Sequence, residues 1–318
     1  YCASSLQTTR MAFHAIRAGE GTAFVSAGVE VVSRYDRGKS DNLPGTYNPR
    51  YATAQERTAR RSGAGAEPWR DPRLDGLEPD PYIAMGQTAE NVAQLCGITR
   101  EEQDQFGVRS QNLAEKAAAD GFWDIDITPV TLPDGTVVSK DDSPRAGVTL
   151  EKVAALQPVF RPDGTVTAGN CCPLNDGAAA LVVMSDVRAR ELGLTPLARI
   201  VATGVSAVSP EIMGLGPVEA SRRALANAGM TVDDLDLVEI NEAFAAQVIP
   251  SYRMLGVDPE KVNVHGGAIA LGHPYGMTGA RITTTLINGL RFRDQQIGLE
   301  TMCTAGGQGM AMILERLS

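Results

Sequence analysis

The sequence predicts a layered α/β fold, in which helices pack against the faces of sheets. Strand-like and helix-like segments alternate from about residue 195 to the end of the chain. A helix-like segment followed by a strand-like one also opens the chain. With 318 residues, 43% of them hydrophobic, the chain is long enough to bury a large core divided into two or three subdomains.

The first helix is predicted over residues 3–18. Leu6, Thr9, Phe13 and Ile16 recur there at three- and four-residue spacing, and Gly19 ends the helix. Cys2 then precedes a helix N-terminus, where backbone N–H groups and the helix dipole favour a thiolate. The alternative for such a cysteine is a small buried side chain. Residues 22–33 are predicted to follow as a buried strand and turn.

The composition changes after residue 34. As far as about residue 81 the chain is polar and punctuated by proline and glycine, which predicts a surface excursion. The cluster Arg57, Arg60 and Arg61 is interpreted as a solvated helix face, with phosphate contact as the less favoured alternative. Helices are predicted over residues 88–95 and 101–120, and a capping box from Thr99 to Glu102 opens the second. Strand-like sequence returns over residues 166–185.

The final unit carries the clearest alternation. Its predicted strands and helices follow one another as RIVATGVS, GPVEASRRALANAG, LDLVEINEAF, AAQVIPSYRML, KVNVHGGAI and MTGARITTTLINGL, and a hairpin-like pair, LETMC and GMAMILERL, ends it. Strands lead into Asn241, His273 and Cys303, so we expect all three at loop ends on one side of a sheet.

His273 lies in the glycine-rich stretch GGAIALGHPYGMTGAR, residues 266–281. Glycines at this density allow a backbone to approach a ligand or another backbone closely. Pro274 keeps the histidine out of regular helix. A histidine held in this way is available as a base near neutral pH. The alternative is a loop histidine that forms only local hydrogen bonds.

Charge and cysteine content exclude several classes of function. The net charge of −9 and the pI of about 5.0 indicate no basic face for nucleic acid. The five cysteines have neither a disulfide framework nor CxxC spacing, and with the histidines they form no recognisable ligand set, so no metal site is predicted. No apolar run is long enough to span a membrane. We therefore expect reduced thiols in a cytoplasmic protein.

Four motifs occur together in the order that the thiolase family uses. They are the cysteine of YCASS, the asparagine of NEAF, the histidine of GHP and the cysteine of MCTAGG. The segments GNCCPLNDGAAALVVMS and MGLGPVEASRRAL also match nearly residue for residue. The sequence therefore resembles thiolases from Cys2 to its end, and four motifs in register are specific where one alone would be weak.

The resemblance implies a layered αβαβα architecture with mixed sheets, built from two similar halves, and an inserted loop domain. Residues 1–34 and 165–194 would be the remainder of the N-terminal thiolase domain. Residues 35–164 would form the loop domain, which covers the active site and binds coenzyme A, and residues 195–318 the C-terminal thiolase domain. Thiolases carry a further stretch before this cysteine, and we expect it to be either truncated here or a separate chain.

The resemblance also implies a reaction, the reversible CoA-dependent cleavage of 3-ketoacyl-CoA through an acyl-cysteine intermediate, with no permanently bound cofactor. A biosynthetic acetoacetyl-CoA thiolase is the first alternative. A non-catalytic acyl-CoA-binding protein is disfavoured because all four chemical groups are present. A ketoacyl synthase of related fold is disfavoured because it typically has a second histidine where Cys303 stands.

The expected partners follow from the same resemblance. They are CoA, acyl-CoA and further copies of the chain in a homodimer or homotetramer. Neither nucleic acid nor a membrane is expected.

The family pattern assigns a role to each motif residue. Cys2 would be the nucleophile, His273 the base that takes its thiol proton, and Cys303 the second acid/base. One oxyanion hole would form between His273 and a water held by Asn241. The other would use the backbone N–H groups of Cys2 and Ala305.

Four further residues, Met85, Arg145, Cys172 and Phe244, are assigned to the CoA and acyl site. Arg145 would lie near the adenine end, with an ordinary exposed arginine as the alternative, and Phe244 would line the pocket unless it is ordinary core. Cys172 stands where thiolases often have a serine that contacts the pantetheine arm, and a thiol is a poorer hydrogen-bonding group. Some short-chain thiolases have a histidine before the methionine; Ala84 stands there and suggests a roomier acyl pocket.

Overall fold

The computed structural model describes residues 1–35 and 45–318. In chain order the helices are α1 (Ser4–Ala18), α2 (Ala52–Arg61), α3 (Met85–Cys96), α4 (Arg100–Ala119), α5 (Trp123–Asp126), α6 (Leu150–Ala154), α7 (Asp186–Glu191), α8 (Gly216–Ala228), α9 (Ala245–Leu255), α10 (Ala268–Leu271) and α11 (Thr278–Phe292). The strands are β1 (Ala23–Val31), β2 (Val130–Thr131), β3 (Val137–Val138), β4 (Asp176–Met184), β5 (Ala198–Ala207), β6 (Leu237–Ile240), β7 (Ile297–Thr304) and β8 (Gln308–Arg316).

Two sheets pack against a pair of helices, α1 and α11. The larger sheet has the strand order β5-β8-β7-β6; β6 runs parallel to β7, and the other pairs are antiparallel. The smaller sheet pairs β1 with β4 antiparallel over nine residues. Helices α1 and α11 contact each other and both sheets, whereas α8 packs on the outer face of the larger sheet. The predicted layered α/β class with mixed sheets is therefore confirmed.

The same local order occurs twice. A 15-residue helix, α1, leads into β1, which pairs antiparallel with β4; a second 15-residue helix, α11, leads into β7, which pairs antiparallel with β8. The first strand is predicted to be buried, and this is wrong for the side chains on the outer face of the β1–β4 sheet. Val25, Val29 and Val182 are exposed because the helices cover only the inner face of the β1–β4 sheet.

Helix α1 confirms the sequence signals that predicted it. It begins two residues after Cys2 and ends at Gly19, whose φ of 78° lets its N–H bond the carbonyl groups of Ala15 and Ile16. The capping box of α4 also forms, because Thr99 accepts from the Glu102 N–H and Glu102 accepts from the Thr99 N–H. The C-terminal glycine and the capping box, both read from neighbouring residues in the sequence, therefore predict these two helix ends correctly.

The surface excursion is only partly as predicted, and its residues 36–44 lie outside the described residues. Arg60 is exposed, but Arg57 is not on a solvated face: its guanidinium lies 3.0 Å from the buried carboxylate of Glu211. Glu211 also accepts from the indole of Trp69, at 2.7 Å, and from the N–H of Asp80, at 2.9 Å. Because a buried carboxylate needs a cationic partner, it draws Arg57 inward.

The predicted strand KVNVHGGAI is wrong. This segment makes isolated bridges, Val238 with Val262 and Val264 with Gly266. Asn263 (φ 47°) and Gly266 (φ 83°) leave the extended conformation. The Asn263 amide also bonds both the N–H and the C=O of Ile240, at 2.8 Å each, and so occupies positions where a continuing strand would pair.

Candidate active site

Cys2 lies in the turn that precedes α1 and is partly exposed. The backbone N–H groups of Ala305 and of Cys2 itself bond the sulfur and lower the thiol pKa. Burial is the larger influence and raises the pKa of Cys2 above its usual range. The resting thiol is therefore protonated at neutral pH, and reaction requires a base.

Cys303 lies on β7 and is 1% exposed. Burial, followed by the nearby Cys2, raises the pKa of this thiol, so it is a neutral proton donor at rest. The turn after β7 brings the N–H of Ala305 to Cys2. That turn needs Gly307, because a β-carbon there would lie 2.2 Å from the Val208 carbonyl oxygen.

His273 lies between α10 and α11 and is buried. Its backbone N–H donates to Asn175 Oδ1 at 2.9 Å, and its Nδ1 lies 2.7 Å from Thr278 Oγ1. Burial, and then the charge of Arg281, lowers the pKa of His273 to about 3, so the ring is neutral. Gly272, at φ 86°, leaves the space that the Asn175 amide fills.

Asn241 follows β6 and reaches the histidine ring. Its backbone N–H donates to the Thr301 carbonyl at 3.0 Å, and its own carbonyl accepts from Gln247 Nε2 at 2.7 Å. Asn241 Nδ2 lies 3.4 Å from both ring nitrogens of His273. Its Oδ1 is buried without a partner among the residues that the structure describes, and so is available to a water or a ligand donor.

Glu242 supports the segment that leads to His273. Its carboxylate accepts from the N–H of Ile269 at 3.0 Å and from the hydroxyl of Ser110 at 2.6 Å. It also accepts from Asn263 Nδ2 at 2.8 Å. Glu242 therefore joins α4 to the start of the short helix α10.

Of the predicted CoA and acyl residues, Cys172 lies near the sulfurs of Cys2 and Cys303, and two others are associated with the buried cluster that contains Cys303. Phe244 belongs to the same buried cluster as Cys303, and Met85 packs against that cluster. The backbone N–H of Cys172 donates to the Ala243 carbonyl at 3.1 Å. Burial raises the pKa of the Cys172 thiol, and the neighbouring thiols, including Cys2 and Cys303, raise it further.

Arg145 lies apart from this group. It is exposed, and its backbone N–H donates to Gln111 Oε1 at 2.9 Å. It lines a cavity of about 760 Å³ together with Lys140, Trp123 and Arg281. As far as the described residues define it, that lining includes none of the four catalytic candidates. Contact between Arg145 and CoA stays a prediction.

Sequence reasoning missed Tyr275, although it directly follows the GHP motif. Its ring lies edge-on to His273, with centroids 5.3 Å apart. Burial, followed by the nearby Cys172 and Cys2, raises the pKa of its phenol to about 12. Tyr275 thus lies beside both His273 and Cys2. Within the described part of the chain no direct hydrogen bond joins Cys2 to His273, and such catalytic contacts often tighten only when substrate binds.

His265 does not border the site. Its ring stacks on Phe122 with centroids 3.8 Å apart and an angle of 2° between the planes. Among residues 1–35 and 45–318, no group of three or more acidic, cysteine or histidine side chains is arranged to hold a metal ion. In the same ranges, none of the helices has the length and apolar character needed to cross a bilayer.

Family models cover nearly the whole chain. The model for "Thiolase, N-terminal domain" matches residues 1–187, and the model for "Thiolase, C-terminal domain" matches residues 194–316. The acetyl-CoA acetyltransferase of Escherichia coli is 44% identical over an alignment of 321 positions, which covers 100% of this chain and 78% of that protein.

Solved structures agree with these matches. The dimeric peroxisomal thiolase of Saccharomyces cerevisiae superposes with a TM-score of 0.86 at 36% identity, covering 99% of this chain and 75% of that one. Human mitochondrial 3-ketoacyl-CoA thiolase in complex with CoA superposes with a TM-score of 0.82 at 35% identity, covering 99% of this chain and 76% of that one.

Proposed function

Because this chain belongs to the thiolase family, we propose that it cleaves 3-ketoacyl-CoA with CoA, reversibly, into acetyl-CoA and a shortened acyl-CoA. It is an acyltransferase. The observation that carries the proposal is the proximity of four groups from distant parts of the chain. Cys2 lies near Cys303, the Asn241 amide lies 3.4 Å from the His273 ring, and Tyr275 lies beside both His273 and Cys2.

Cys2 is proposed as the nucleophile. His273 takes the thiol proton, and the sulfur attacks the keto carbon of the substrate. The bond between that carbon and the neighbouring α-carbon breaks, which leaves an acyl group on Cys2 and releases the enolate of acetyl-CoA. A neutral imidazole and a protonated thiol, as burial favours here, are the starting forms that this transfer needs.

Cys303 is proposed as the second acid/base. Its thiol protonates the α-carbon of the enolate, and the resulting thiolate then takes the proton of the incoming CoA thiol. That CoA attacks the acyl group on Cys2 and releases the shortened acyl-CoA, and the departing Cys2 sulfur takes its proton back from His273, which regenerates the enzyme. In the synthetic direction Cys303 removes the α-proton of acetyl-CoA. A raised pKa supports the role, because Cys303 must hold its proton until the enolate forms.

Two oxyanion holes are proposed. The N–H groups of Cys2 and Ala305 already bond the Cys2 sulfur, which supports their use for the oxygen of the Cys2-bound acyl group. The other hole would combine His273 with a water that donates to Asn241 Oδ1, which has no partner within the described ranges. Each donor is worth about 3 kcal/mol of the barrier.

For the substrate, we propose CoA thioesters bound along Met85, Cys172 and Phe244, with Arg145 toward the adenine. Ala84 is exposed at the start of α3 and supports a broad acyl range, as in a degradative 3-ketoacyl-CoA thiolase. A biosynthetic acetoacetyl-CoA thiolase remains the second candidate, supported by the E. coli acetyl-CoA acetyltransferase. The ratio of kcat/KM for acetoacetyl-CoA and a longer 3-ketoacyl-CoA decides between them.

The organisation of the chain is proposed on the same grounds. Residues 1–34 with 165–194 would form the N-terminal domain, residues 35–164 the loop domain and residues 195–318 the C-terminal domain. A homodimer, or a tetramer built from dimers, is supported by the dimeric yeast thiolase. A cytoplasmic location is supported by five unpaired cysteines.

Acylation of Cys2 tests the reaction. Acetyl-CoA should add one acetyl group to the protein, and peptide mass spectrometry should locate it on Cys2. Cys2→Ala should lose both the label and the cleavage of acetoacetyl-CoA. Cys96→Ala, which changes a partly exposed thiol at the end of α3, is the matched control and should retain both. If Cys2→Ala still becomes acetylated and cleaves substrate, the proposed function is wrong.

A further inference from the structure

The hydrogen bonds of Thr278 determine which nitrogen of His273 carries the proton. Thr278 Oγ1 lies 2.7 Å from His273 Nδ1 and 2.8 Å from the Pro274 carbonyl oxygen. A hydroxyl has one hydrogen, and a carbonyl oxygen can only accept. The hydroxyl therefore donates to Pro274 and accepts from His273, and that second bond requires a hydrogen on Nδ1.

The opposite arrangement is disfavoured. If Thr278 donated to Nδ1, its oxygen would face the Pro274 carbonyl oxygen at 2.8 Å with no hydrogen between two buried acceptors. Donation from a threonine to the carbonyl four residues earlier also occurs elsewhere on this helix. Thr284 donates to the Ala280 carbonyl at 3.0 Å.

Asn241 does not set the tautomer. Its Nδ2 is 3.4 Å from both ring nitrogens, whose lone-pair and N–H directions diverge within the ring plane. Asn241 Nδ2, at equal distance from both nitrogens, cannot lie along both of these directions. It therefore does not form a directed hydrogen bond that would select one nitrogen. The Asn175 bond is to the backbone of His273 and leaves the ring chemistry unaffected.

We propose that Thr278 is a positioning residue that holds His273 in the tautomer with hydrogen on Nδ1 and the lone pair on Nε2. The lone pair is then on the ring nitrogen that Thr278 does not contact, which leaves it available to accept the proton of Cys2. This inference rests on the proposed function, in which His273 is the base. Without the hydroxyl of Thr278, the ring can place its hydrogen on either nitrogen, and the form with Nε2–H cannot act as that base.

The tautomer can be measured directly by ¹⁵N NMR, without an activity assay. The chain has three histidines, so protein grown with ¹⁵N-histidine gives few ring signals, and His273→Gln assigns those of the catalytic residue. At neutral pH the wild type should show a protonated Nδ1 and an unprotonated Nε2 for His273. A protonated Nε2 in the wild type would overturn the proposal, whether or not the protein cleaves 3-ketoacyl-CoA.

Variants test the positioning role. Thr278→Val removes the hydroxyl at nearly constant volume; it should shift the His273 signals toward the Nε2–H form and lower kcat by about tenfold to a hundredfold, with a smaller change in KM. Thr278→Ser should retain both the tautomer and the activity. Thr284→Val is the matched control, because it removes the same helix-internal bond on α11 without touching the ring.

Two outcomes separate this inference from the proposed function. Full activity in Thr278→Val would overturn the positioning role while Cys2 acetylation still supports a thiolase. A wild-type protein that neither acetylates Cys2 nor cleaves acetoacetyl-CoA would remove the proposed function. The ¹⁵N signals would then still decide whether Thr278 sets the ring tautomer.

Discussion

Replacing His265 with phenylalanine should make the protein more resistant to acid. The side chain is 5% exposed, stacks on Phe122 and meets Phe292 edge-on, at 5.9 Å between ring centroids. Its Nδ1 has no partner within residues 1–35 and 45–318. Burial, and then Arg293, lowers the pKa of His265 to about 4. Folding therefore disfavours the protonated ring.

The magnitude follows from linkage. The unfolded chain binds a proton at His265 near its ordinary pKa of 6.5, whereas the folded chain binds it only near pH 4. Between these values the unfolded state holds more protons, so acid lowers the free energy of unfolding by about 1.4 kcal/mol per pH unit. Relative to pH 8, the wild type should lose about 2 kcal/mol at pH 5 through this residue. His265→Phe should lose none of it.

Urea unfolding at pH 8 and pH 5 measures the effect. Fluorescence of Trp123, whose ring lies 4.9 Å from that of Phe122, reports on the region. At each pH, the free energy of unfolding of the variant is subtracted from that of the wild type. The change in this difference between pH 8 and pH 5 is the measured effect, because any packing effect that does not depend on pH cancels. The contribution of His273 to the pH dependence is the same in both proteins and therefore cancels as well. His14→Gln, at an exposed position of α1, is the comparison: burial lowers the pKa of His14 as well, but this side chain is far less buried than His265, so its effect should be smaller. Equal differences at both pH values would refute the reasoning.

The remaining predictions concern the site and its supports. Asn241→Ala should lower kcat about a hundredfold through loss of one oxyanion-hole contact, and steady-state cleavage of acetoacetyl-CoA measures it; near-normal kcat removes Asn241 from the mechanism. Arg57→Ala leaves Glu211 buried without its cation and should lower the free energy of unfolding by about 3 kcal/mol in denaturant titration, whereas the double variant with Glu211→Gln should recover part of the loss. Gly272→Ala places a β-carbon 2.1 Å from the Asn175 amide at a positive φ. We expect it to reduce kcat and lower Tm, and unchanged values of both would contradict the close packing of this turn.

Signals that act over a few residues allowed much of the fold to be predicted. The end of α1 at Gly19 and the start of α4 at Thr99 depend only on neighbouring backbone, and both were read correctly. The four motif residues were also recognisable, because each chemical type stands in a specific local pattern. Their use in catalysis stays a prediction until the acylation experiment is done.

Contacts between distant segments could not be predicted. Arg57 looked like a surface residue because the carboxylate that draws it inward, Glu211, lies 154 positions later. The third strand of the final unit looked regular because nothing local shows that Asn263 will turn its amide to Ile240. Tyr275 was overlooked because its importance comes from its neighbours in space and not from a pattern in the sequence.

The same long-range packing determines the charge state of the site. Burial raises the pKa of both thiols and lowers that of His273, so the resting site holds neutral groups and not a thiolate–imidazolium pair. Charge then develops only as the substrate reacts. In the proposed mechanism, fixed donors such as the N–H of Ala305 would stabilise that charge without having to reorganise. Catalysis at such a site depends more on these donors and on the orientation of the histidine ring than on a thiolate formed in advance.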